Sequence, residues 1–570
     1  MMKRLENLVL QARRAATEIR NFQGVIRVIA HYDADGIASA SIIASALSRE
    51  GKPFRISFVK QLGEKRIKEL ALEKNLLTIF SDLGSGHINQ IQESLIFPGA
   101  KVIVLDHHQI KGEVMGNKAS SFIHLNPLSF GIGENLSGAG VAYFLAREIN
   151  PENIELSYLA VVGALGDSQK GSIEENWGLS GANREILKDA KKSGKIVVST
   201  GLRIWGRHSR PIHKAIEYCT DPYIPGISGS ESASVQFLNE IGIKIKDGER
   251  WRTLSELSVE EQKRLADGII KERIRGNLAD AHEIFGDVYE IPFHPQEFSS
   301  AEEFATVLNA CGKLGKAYIG LSMCMGNPES FEEAKSLLSA YRKDIGKAIS
   351  WINQNSYAIK STEKCVYILA GKQVSEHIVS NLVSMLSRSF LPKEKPVFAF
   401  AETEDGNIKV SARAHDTLVE NGLSMEAIVS EVACKLGGEG GGHKGAAGAT
   451  IPRDSQDFFI SYVEQLIGND GNAEKETKGC FSVNIPEVQS NLNIPEQQTL
   501  ANPLGNGLIS HSQTEKSGVF YGTAKAERSE GEGGEKGGSK EGREAPTKKV
   551  EGKGLVRYFG AKDVRGNAAG

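Results

Sequence analysis

Residues 101–109 read KVIVLDHHQ, in which four consecutive apolar residues are followed directly by Asp106, His107 and His108. A run of branched apolar residues without polar alternation is typical of a strand that is buried on both faces of a parallel sheet. Open α/β sheets bind ligands just beyond the carboxyl ends of their strands. The stretch therefore predicts an α/β fold with an acid and two imidazoles at a ligand site. Taken alone, it also fits a capped strand with a structural histidine.

Three other apolar segments in the first 170 residues end in the same kind of polar group. The segments are 24–30, 76–80 and 158–165, and the polar residues that follow them are His31, Asp33, Asp35, Asp82 and Asp167. In HYDADG, positions 31, 33 and 35 alternate, so an extended chain would present all three side chains on one side. Gly36 then permits a tight turn into a helix predicted from Ile37 to Leu47. Such a strand end beside a helix N-terminus suits a metal ion and a phosphate together.

The polar groups that follow the four segments have a composition suited to metal binding. Asp33, Asp35, Asp82, His107 and Asp167, with His31 and His108 beside them, form the ligand mix expected for two divalent ions such as Mn²⁺. So many carboxylates in one cleft would repel one another without cations. Two ions roughly 3.5 to 4 Å apart promote in-line attack on phosphorus. The pattern thus predicts metal-assisted hydrolysis of a phosphate ester.

The four motifs HYDADGIAS, SDLGSG, LDHHQ and ALGD, in this order and spacing, resemble those of the DHH phosphoesterase superfamily. The resemblance implies that two divalent ions, Mn²⁺ or Mg²⁺, bind the five residues Asp33, Asp35, Asp82, His107 and Asp167, with Asp82 as the bridge. It implies that His108 faces the substrate phosphate and that Asp106 orients the site from behind. His31 stands where some branches of the superfamily have a ligand and others an acid, and we include it among the predicted ligands.

Residues 171–300 predict an inserted, mostly helical region between two lobes. The stretch RIWGRHSRPIHK, residues 203–214, concentrates basic residues around Trp205 and suits a nucleic-acid backbone. A solvated face beside one anchoring tryptophan explains it equally well. Ser255 and Ser258 are alternative caps of a helix that follows. The run RPIHKAIEYCTDPYIPG resembles the archaeal RecJ-like group, also called the GINS-associated nucleases, which have an insertion at this place.

Residues 301–467 predict a smaller α/β lobe. One helix carries Asn309, Gly312 and Lys313, and the strand IKVSARAH presents Ser411 and Arg413 on one face. The later stretch LGGEGGGHKGAAG, with Gly440, Gly441, Gly442 and His443, predicts a loop whose backbone can approach a ligand closely. Together these features resemble the DHH-associated C-terminal domain. The resemblance implies that Arg413 and His443 hold a phosphate of a nucleotide chain, with Ser411 and the three glycines beside them.

Residues 468–570 predict a disordered tail, because their Gly, Ser, Glu and Lys content cannot bury a core. Within residues 552–559, Leu555, Tyr558 and Phe559 have the spacing of the motif with which replication proteins bind the sliding clamp. Gly552 stands where that motif has glutamine. Clamp binding and an incidental tail are both open.

The composition of the whole chain excludes some classes of protein. A net charge of -3 over 570 residues gives no global basic character, so nucleic acid would have to bind in a local groove. The six cysteines form no CxxC pair, which favours reduced thiols over a disulfide or zinc framework. No segment resembles a signal peptide or a membrane span. We therefore expect a cytoplasmic protein without membrane contact.

The sequence thus predicts a two-lobed α/β phosphoesterase with a parallel-sheet N-terminal domain. Resemblance to the RecJ-like group implies a single-strand-specific exonuclease in DNA replication or repair, acting 5′ to 3′ on single-stranded DNA. Three alternatives stay open: a 3′ to 5′ exoribonuclease, a phosphodiesterase for short oligonucleotides or cyclic dinucleotides, and a replisome scaffold that binds GINS. GINS and the replicative helicase are expected partners, together with single-stranded DNA or RNA.

Overall fold

A five-stranded parallel sheet forms the centre of the first lobe in the computed structural model. The structure describes residues 2–113, 121–133, 135–171, 178–219, 222–276, 281, 284–389, 391–467 and 520–522. The elements of this lobe are α1 (Met2–Asn21), β1 (Ile26–His31), α2 (Ala34–Arg49), β2 (Phe54–Val59), α3 (Glu64–Leu72), β3 (Leu77–Ser81), α4 (Ile88–Leu95), β4 (Lys101–Leu105), β5 (Phe122–Leu125), α5 (Gly138–Ile149) and α6 (Ser157–Gly166). The strand order is β2-β1-β3-β4-β5, with every neighbouring pair parallel.

Both faces of this sheet are covered by helices. Helices α1, α2, α5 and α6 pack on one face, and α3 and α4 pack on the other. Strand β4 is buried from Val102 to Leu105, as its unbroken apolar sequence predicts. The strand order reverses between β1 and β3, and ligands of doubly wound sheets bind where such a reversal occurs. The fold therefore places the functional edge at the carboxyl ends of β1, β3 and β4.

The inserted region has a small core of its own. Its elements are α7 (Asn183–Lys192), β6 (Val197–Leu202), α8 (Ile212–Glu217), α9 (Glu231–Glu240), β7 (Lys246–Asp247), β8 (Arg250–Trp251), α10 (Val259–Arg275) and β9 (Phe285–Glu290). The core joins apolar residues of α8, α9 and α10. Ser258 caps α10, and a reciprocal contact with Glu261 completes a capping box. The expectation of a mostly helical insertion is confirmed.

Three helices connect the insertion to the second lobe, whose centre is a mixed six-stranded sheet. The elements are α11 (Ala301–Lys313), α12 (Ala317–Cys324), α13 (Glu329–Gln354), β10 (Ile359–Ser361), β11 (Val366–Gly371), α14 (Val379–Ser389), β12 (Val397–Glu402), β13 (Ile408–Arg413), α15 (Asp416–Glu420), α16 (Met425–Lys435), β14 (Glu439–His443), β15 (Ala446–Ile451) and α17 (Gln456–Leu466). The strand order is β10-β11-β12-β13-β15-β14. The glycine-rich stretch is thus an edge strand, β14, and not the predicted loop.

Only a short part of the predicted tail is described, namely the strand β16 (Phe520–Gly522), which pairs antiparallel with β2. Leu555, Tyr558 and Phe559 lie outside the described residues. Among the helices that the structure describes, none has the length and apolar character needed to cross a membrane. Among the described residues, Cys219, Cys311, Cys324 and Cys365 are buried and reduced.

Candidate metal centre

The predicted ligands meet at the edge where the strand order reverses. His31 is the last residue of β1, Asp82 directly follows β3, and His107 lies two residues beyond β4. Asp167 follows the last residue of α6. The apolar segment 158–165 is therefore a buried helix, yet its polar end reaches the same edge as the strands.

Two groups of side chains share Asp82. In the first group, His31 Nδ1 lies 3.0 Å from Asp33 Oδ1 and 3.4 Å from Asp82 Oδ2. In the second, His107 Nε2 lies 3.3 Å from Asp82 Oδ1, 3.7 Å from Asp35 Oδ2 and 3.7 Å from Asp167 Oδ2. The two oxygens of Asp82 thus face different groups, which is the arrangement of a bridging carboxylate.

The local backbone differs from the prediction at Asp35. An extended segment from His31 to Asp35 was expected, but α2 already begins at Ala34. Asp33 is the N-cap of this helix, and its Oδ1 accepts a hydrogen bond from the Gly36 N–H at 3.0 Å. Asp35 therefore lies in the first helical turn, and it still points to the shared site.

The donor atoms of both groups suit a hard or borderline divalent ion, because they are carboxylate oxygens and imidazole nitrogens. His31 Nδ1 and Asp82 Oδ1 are sealed from solvent, and neither makes a hydrogen bond of acceptable geometry with the residues the structure describes. Buried polar atoms are normally satisfied, so these two orphaned atoms are consistent with metal binding. The residues present therefore fit a divalent metal ion.

Burial and mutual repulsion strongly perturb the ionisable groups of the centre. Burial raises the pKa of Asp35 well above its usual value, and the neighbouring Asp82 raises it further. Burial alone would lower the pKa of His107, but Asp167, Asp82 and Asp35 outweigh this effect and raise it well above its usual value. A bound cation would relieve this crowding of negative charge.

Asp106 lies behind the predicted ligands and holds several groups in place. Its Oδ2 accepts a hydrogen bond from the Ser85 N–H at 2.7 Å, and its Oδ1 accepts one from the His107 N–H at 2.8 Å. The same Oδ1 lies 2.7 Å from His108 Nδ1. Burial disfavours the charged form of Asp106, but His108 more than compensates, so the pKa of Asp106 falls below its usual range. This geometry agrees with the orienting role expected for Asp106.

The N-terminus of α5 positions Asp35 through backbone N–H groups, and no residue pattern in the sequence indicates this contact. The Gly138 and Ala139 N–H groups donate hydrogen bonds to Asp35 Oδ2 at 2.6 Å and Oδ1 at 3.0 Å. A Cβ on Gly138 would stand 2.5 Å from Asp82 Oδ1, and one on Gly163 would overlap Asp35 Oδ1. From the sequence, the small residues 137–140, SGAG, predict only that this helix packs closely against its neighbours. In the structure they also leave room for the carboxylates.

The second lobe reaches the centre through His443. Its Nε2 lies 3.6 Å from Asp167 Oδ1, and its ring stacks on His108 with centroids 5.0 Å apart. Two further ion pairs bridge the lobes, Lys111 with Glu426 at 2.9 Å and Lys60 with Glu376 at 3.4 Å. The contact of His443 with a substrate phosphate, which the resemblance implies, stays a prediction, and the structure places its ring beside the predicted ligand Asp167.

The other predicted residues of the second lobe differ in accessibility. Arg413 is half-buried and donates a hydrogen bond from Nε to Ser384 Oγ at 2.8 Å. Ser411 shares its strand face but is only 2% exposed. A Cβ on Gly440 would press against α16, and a Cβ on Gly442 would overlap the Ala446 carbonyl, whereas one on Gly441 would meet nothing within 4 Å. Substrate contact by these residues stays a prediction.

Electrostatic interactions connect a group of basic residues near Asp33 of the first ligand group, and we call it the basic cluster: Lys60, Lys313, His377, Lys409 and Arg413. Lys313 donates to Ser380 Oγ at 2.9 Å and to Asn381 Oδ1, which ties α11 to α14. Burial lowers the pKa of Lys313 to about 7, and the positive charge of Arg413 acts in the same direction. Sequence analysis placed Lys313 on a helix without assigning it a role.

Two neighbours of Lys313 join α11 to the metal-binding segment. Asn309 Oδ1 accepts a hydrogen bond from the Ala34 N–H at 2.9 Å. A Cβ on Gly312 would overlap the Tyr32 carbonyl oxygen. The spacing of Asn309, Gly312 and Lys313 on one helix was the signal in the sequence, but only the fold shows that α11 lies against residues 32–34.

The basic stretch 203–214 lies at the junction of the insertion and the first lobe. Arg203, Trp205 and Arg207 line a small cavity together with acidic side chains. The charged lining residues are Lys170, Arg203, Arg207, Asp287, Glu302 and Glu303, three of each sign. Lys214 is paired with Glu217 and Glu231. This balance of charge favours a structural junction over a grip on a nucleic-acid backbone.

The family matches and the two-lobed fold indicate a hydrolase of the phosphodiesterase type. The chain belongs to the DHH family: models of the DHH family N-terminal domain, the DHH-CID domain and the DHHA1 domain match residues 25–164, 204–284 and 362–469. A curated protein of Methanocaldococcus jannaschii, described as uncharacterized, is 31% identical over 478 residues, which are 82% of this chain and 99% of that protein.

Solved structures share this fold at low sequence identity. CDC45 from Entamoeba histolytica superposes with a TM-score of 0.56 at 11% identity, over 80% of this chain and 99% of that one. RecJ from Thermus thermophilus, solved in complex with Mn²⁺, gives a TM-score of 0.49 at 18% identity. That match covers 81% of this chain and 54% of the longer RecJ chain.

Proposed function

We propose that this protein is a metal-dependent exonuclease that is specific for single-stranded nucleic acid and works 5′ to 3′ on DNA in replication or repair. The observation that carries the proposal is Asp82, whose two oxygens face two separate groups of metal-binding side chains. Two divalent ions, Mn²⁺ or Mg²⁺, would be held by Asp33, Asp82 and His31 on one side and by Asp35, Asp82, His107 and Asp167 on the other. The imidazole nitrogens among these carboxylates favour Mn²⁺ over Mg²⁺, which prefers oxygen ligands throughout.

When bound, such a pair of ions lowers the pKa of water and neutralises charge on the attacking and leaving oxygens. The side chains of the protein would position the substrate phosphate and hold the protons that contact it. The contact with Asp106 fixes the ring of His108, and the carboxylate raises the pKa of His108 against the opposing effect of burial. The contact with Asp106 thus favours the protonated form of His108, whose Nε2–H would donate to a phosphate oxygen of the substrate.

The second lobe would hold the nucleotide chain across the cleft. Arg413 presents a planar, permanently charged group, and Lys313, which interacts with both Arg413 and Asp33, adds positive charge below about pH 7. A local groove of this kind compensates for the slightly negative net charge of the whole chain. The basic cluster thus supports a polyanionic substrate that enters beside the metal centre.

Substrate binding is expected to weaken as the pH rises through 7, because Lys313 has a pKa of about 7. A lysine with a lowered pKa is charged below that value and neutral above it, and only the charged form attracts phosphate. We expect KM for a single-stranded oligonucleotide to rise about tenfold from pH 6 to pH 8. In Lys313→Arg, which stays charged, KM should be nearly flat over this range. An equal slope in both proteins would rule out this role of Lys313.

The substitution Arg413→Ala is expected to act mainly on binding, since Arg413 faces the cleft and lies outside both predicted ligand groups. Loss of a charge-assisted contact predicts an increase in KM of about 10- to 100-fold with a small change in kcat. Steady-state kinetics on single-stranded DNA provide the measurement. Arg453→Ala is the matched control, because Arg453 lies on the same lobe and pairs with Glu402 at 3.4 Å on the surface. An unchanged KM in Arg413→Ala would contradict the assignment.

The direct test uses matched single strands of DNA and RNA, each labelled at the 5′ or the 3′ end, with Mn²⁺, with Mg²⁺ and with chelator. Mononucleotides released from the 5′ end of DNA support the proposal. Release from the 3′ end of RNA would replace it with an exoribonuclease. A rate that does not increase beyond a few nucleotides would indicate a phosphodiesterase for short oligonucleotides or cyclic dinucleotides.

A scaffold role in the replisome is the second candidate, and the shared fold with CDC45 favours it. The complete set of ligands argues that such a role would accompany hydrolysis. Pull-down with purified GINS and replicative helicase tests this role, and the same assay with the sliding clamp tests the tail motif. Binding of a His107→Ala variant that has lost activity would separate the scaffold role from catalysis.

A further inference from the structure

The outer edge of the first-lobe sheet is formed by β2, and the only described segment that pairs with this edge comes from the tail of the same chain. All six residues of β2 pair with β1 on the inner side. On the outer side Phe520, Tyr521 and Gly522 of β16 pair antiparallel with Ile56, Arg55 and Phe54. An open strand edge presents unpaired N–H and C=O groups and invites pairing with other chains.

We propose that the edge of β2 is a docking surface for an extended peptide and that the tail segment around Phe520 to Gly522 is its occupant within the same molecule. The segment GVFYG contains residues that favour strands, between TEKS before it and TAKAER after it. Phe520 and Tyr521 form one of two adjacent aromatic pairs after residue 467, the other being Tyr558 and Phe559. The tail thus contains a short strand-forming segment, and in the structure this segment pairs with the outer edge of β2.

The covalent connection is long enough for this docking. The stretch 468–519 contains 52 residues, which span up to about 170 Å when extended. Three residue pairs supply only a few backbone hydrogen bonds, each worth about 0.5 to 1.5 kcal/mol net. Docking is therefore weak for a free peptide and depends on the tether, which keeps the segment at a high local concentration. The tail strand is thus a removable cover that another extended peptide can replace.

The position of this edge links the cover to the substrate cleft. Strand β2 ends at Val59, and the next residue is Lys60 of the basic cluster, which pairs with Glu376 of the second lobe. The tail strand pairs with residues 54–56, and the last three residues of β2 lead from this occupied part to Lys60 at the cleft. A protein partner that adds its own strand to β2 would be placed beside the entering nucleic acid.

The test is amide hydrogen exchange of residues 54–56 in the full-length protein. The double substitution Phe520→Pro and Tyr521→Pro removes two backbone donors of the tail strand. We expect exchange in peptides that contain residues 54–56 to become at least about tenfold faster in this variant. Ser529→Pro, in the tail but outside β16, is the matched control and should exchange like the unmodified protein. Because a free peptide binds weakly, a synthetic peptide of residues 514–526 should restore slow exchange in the double variant only when it is added in large molar excess.

Two results would overturn the proposal. Equal exchange of residues 54–56 in the unmodified protein and the double variant would show that the tail does not cover β2. Protection that disappears on dilution would show that the tail of a second copy occupies the edge instead. Neither result depends on nuclease activity, so the proposal stands or falls separately from the proposed function.

Discussion

Asp35→Ala is expected to reduce kcat/KM at least about 1000-fold, because it removes a predicted ligand and several kcal/mol of charge stabilisation in the transition state. His107→Ala should have a similar effect, since His107 Nε2 lies within 3.7 Å of three carboxylates. Both proteins are expected to remain folded. The measurement is single-strand hydrolysis at saturating Mn²⁺, together with circular dichroism.

The thermal shift caused by metal separates loss of a ligand from general damage. Asp35 is buried among other carboxylates that raise its pKa, so removing it relieves repulsion in the metal-free protein. Without metal, Tm of Asp35→Ala should therefore stay close to that of the unmodified protein. Mn²⁺ should raise Tm of the unmodified protein and have much less effect on the variant. Full activity of Asp35→Ala at saturating metal would refute the assignment of Asp35 as a ligand.

Gly138→Ala is expected to cause a large loss of metal-dependent activity, although it adds only a methyl group. The new Cβ would stand 2.5 Å from Asp82 Oδ1, so either the carboxylate or the start of α5 must move. The Gly138 N–H also holds Asp35, so both carboxylates would be displaced. Changes to groups that orient metal ligands typically cost about 10- to 100-fold in metal affinity or activity. Titration of activity with Mn²⁺ should show a higher half-saturating concentration.

Gly86→Ala is the matched control for this substitution. Gly86 lies near the same sheet edge, but a Cβ there would meet no heavy atom within 4 Å. We expect Gly86→Ala to keep the metal dependence of the unmodified protein. If both alanine variants showed the same metal dependence, the close fit at Gly138 would have no functional meaning.

Residues adjacent to a strand were predictable from the sequence because the strand itself is clearly marked. The apolar run of β4 is not interrupted by polar residues, which indicates a strand buried on both faces of the sheet. The polar residues that follow it therefore lie at the carboxyl end of the strand, where such sheets bind ligands. Residues adjacent to helices were harder to place. Residues 158–165 are apolar throughout, and a short run of this kind does not distinguish a buried strand from a buried helix. The alternation of residues 31, 33 and 35 before Gly36 predicts that Asp35 lies in an extended segment. In the structure Asp33 caps α2, and both Asp35 and Gly36 lie inside this helix.

The remaining parts of the site depend on contacts between distant segments. Gly138 and Ala139 use backbone N–H groups, which leave no residue-specific sign in a sequence. Lys313 owes its lowered pKa to burial between α11 and α14, where its partner Ser380 is 67 positions away along the chain. His443 and Asp167 approach only because the lobes face each other. Sequence patterns reveal residue types and local spacing, but the packing of lobes decides these distances.

The ion pairs across the cleft are contacts between the lobes whose strength depends on ionic strength. Lys111–Glu426 and Lys60–Glu376 each join a lysine that is about half exposed to an acid on the other lobe. Exposed pairs of this kind contribute only about 0 to 1 kcal/mol and are screened by salt. On the opposite side, α11 buries a continuous apolar face against α2 and α6. Rising salt is therefore expected to weaken the two ion pairs across the cleft while the apolar contact of α11 with α2 and α6 persists.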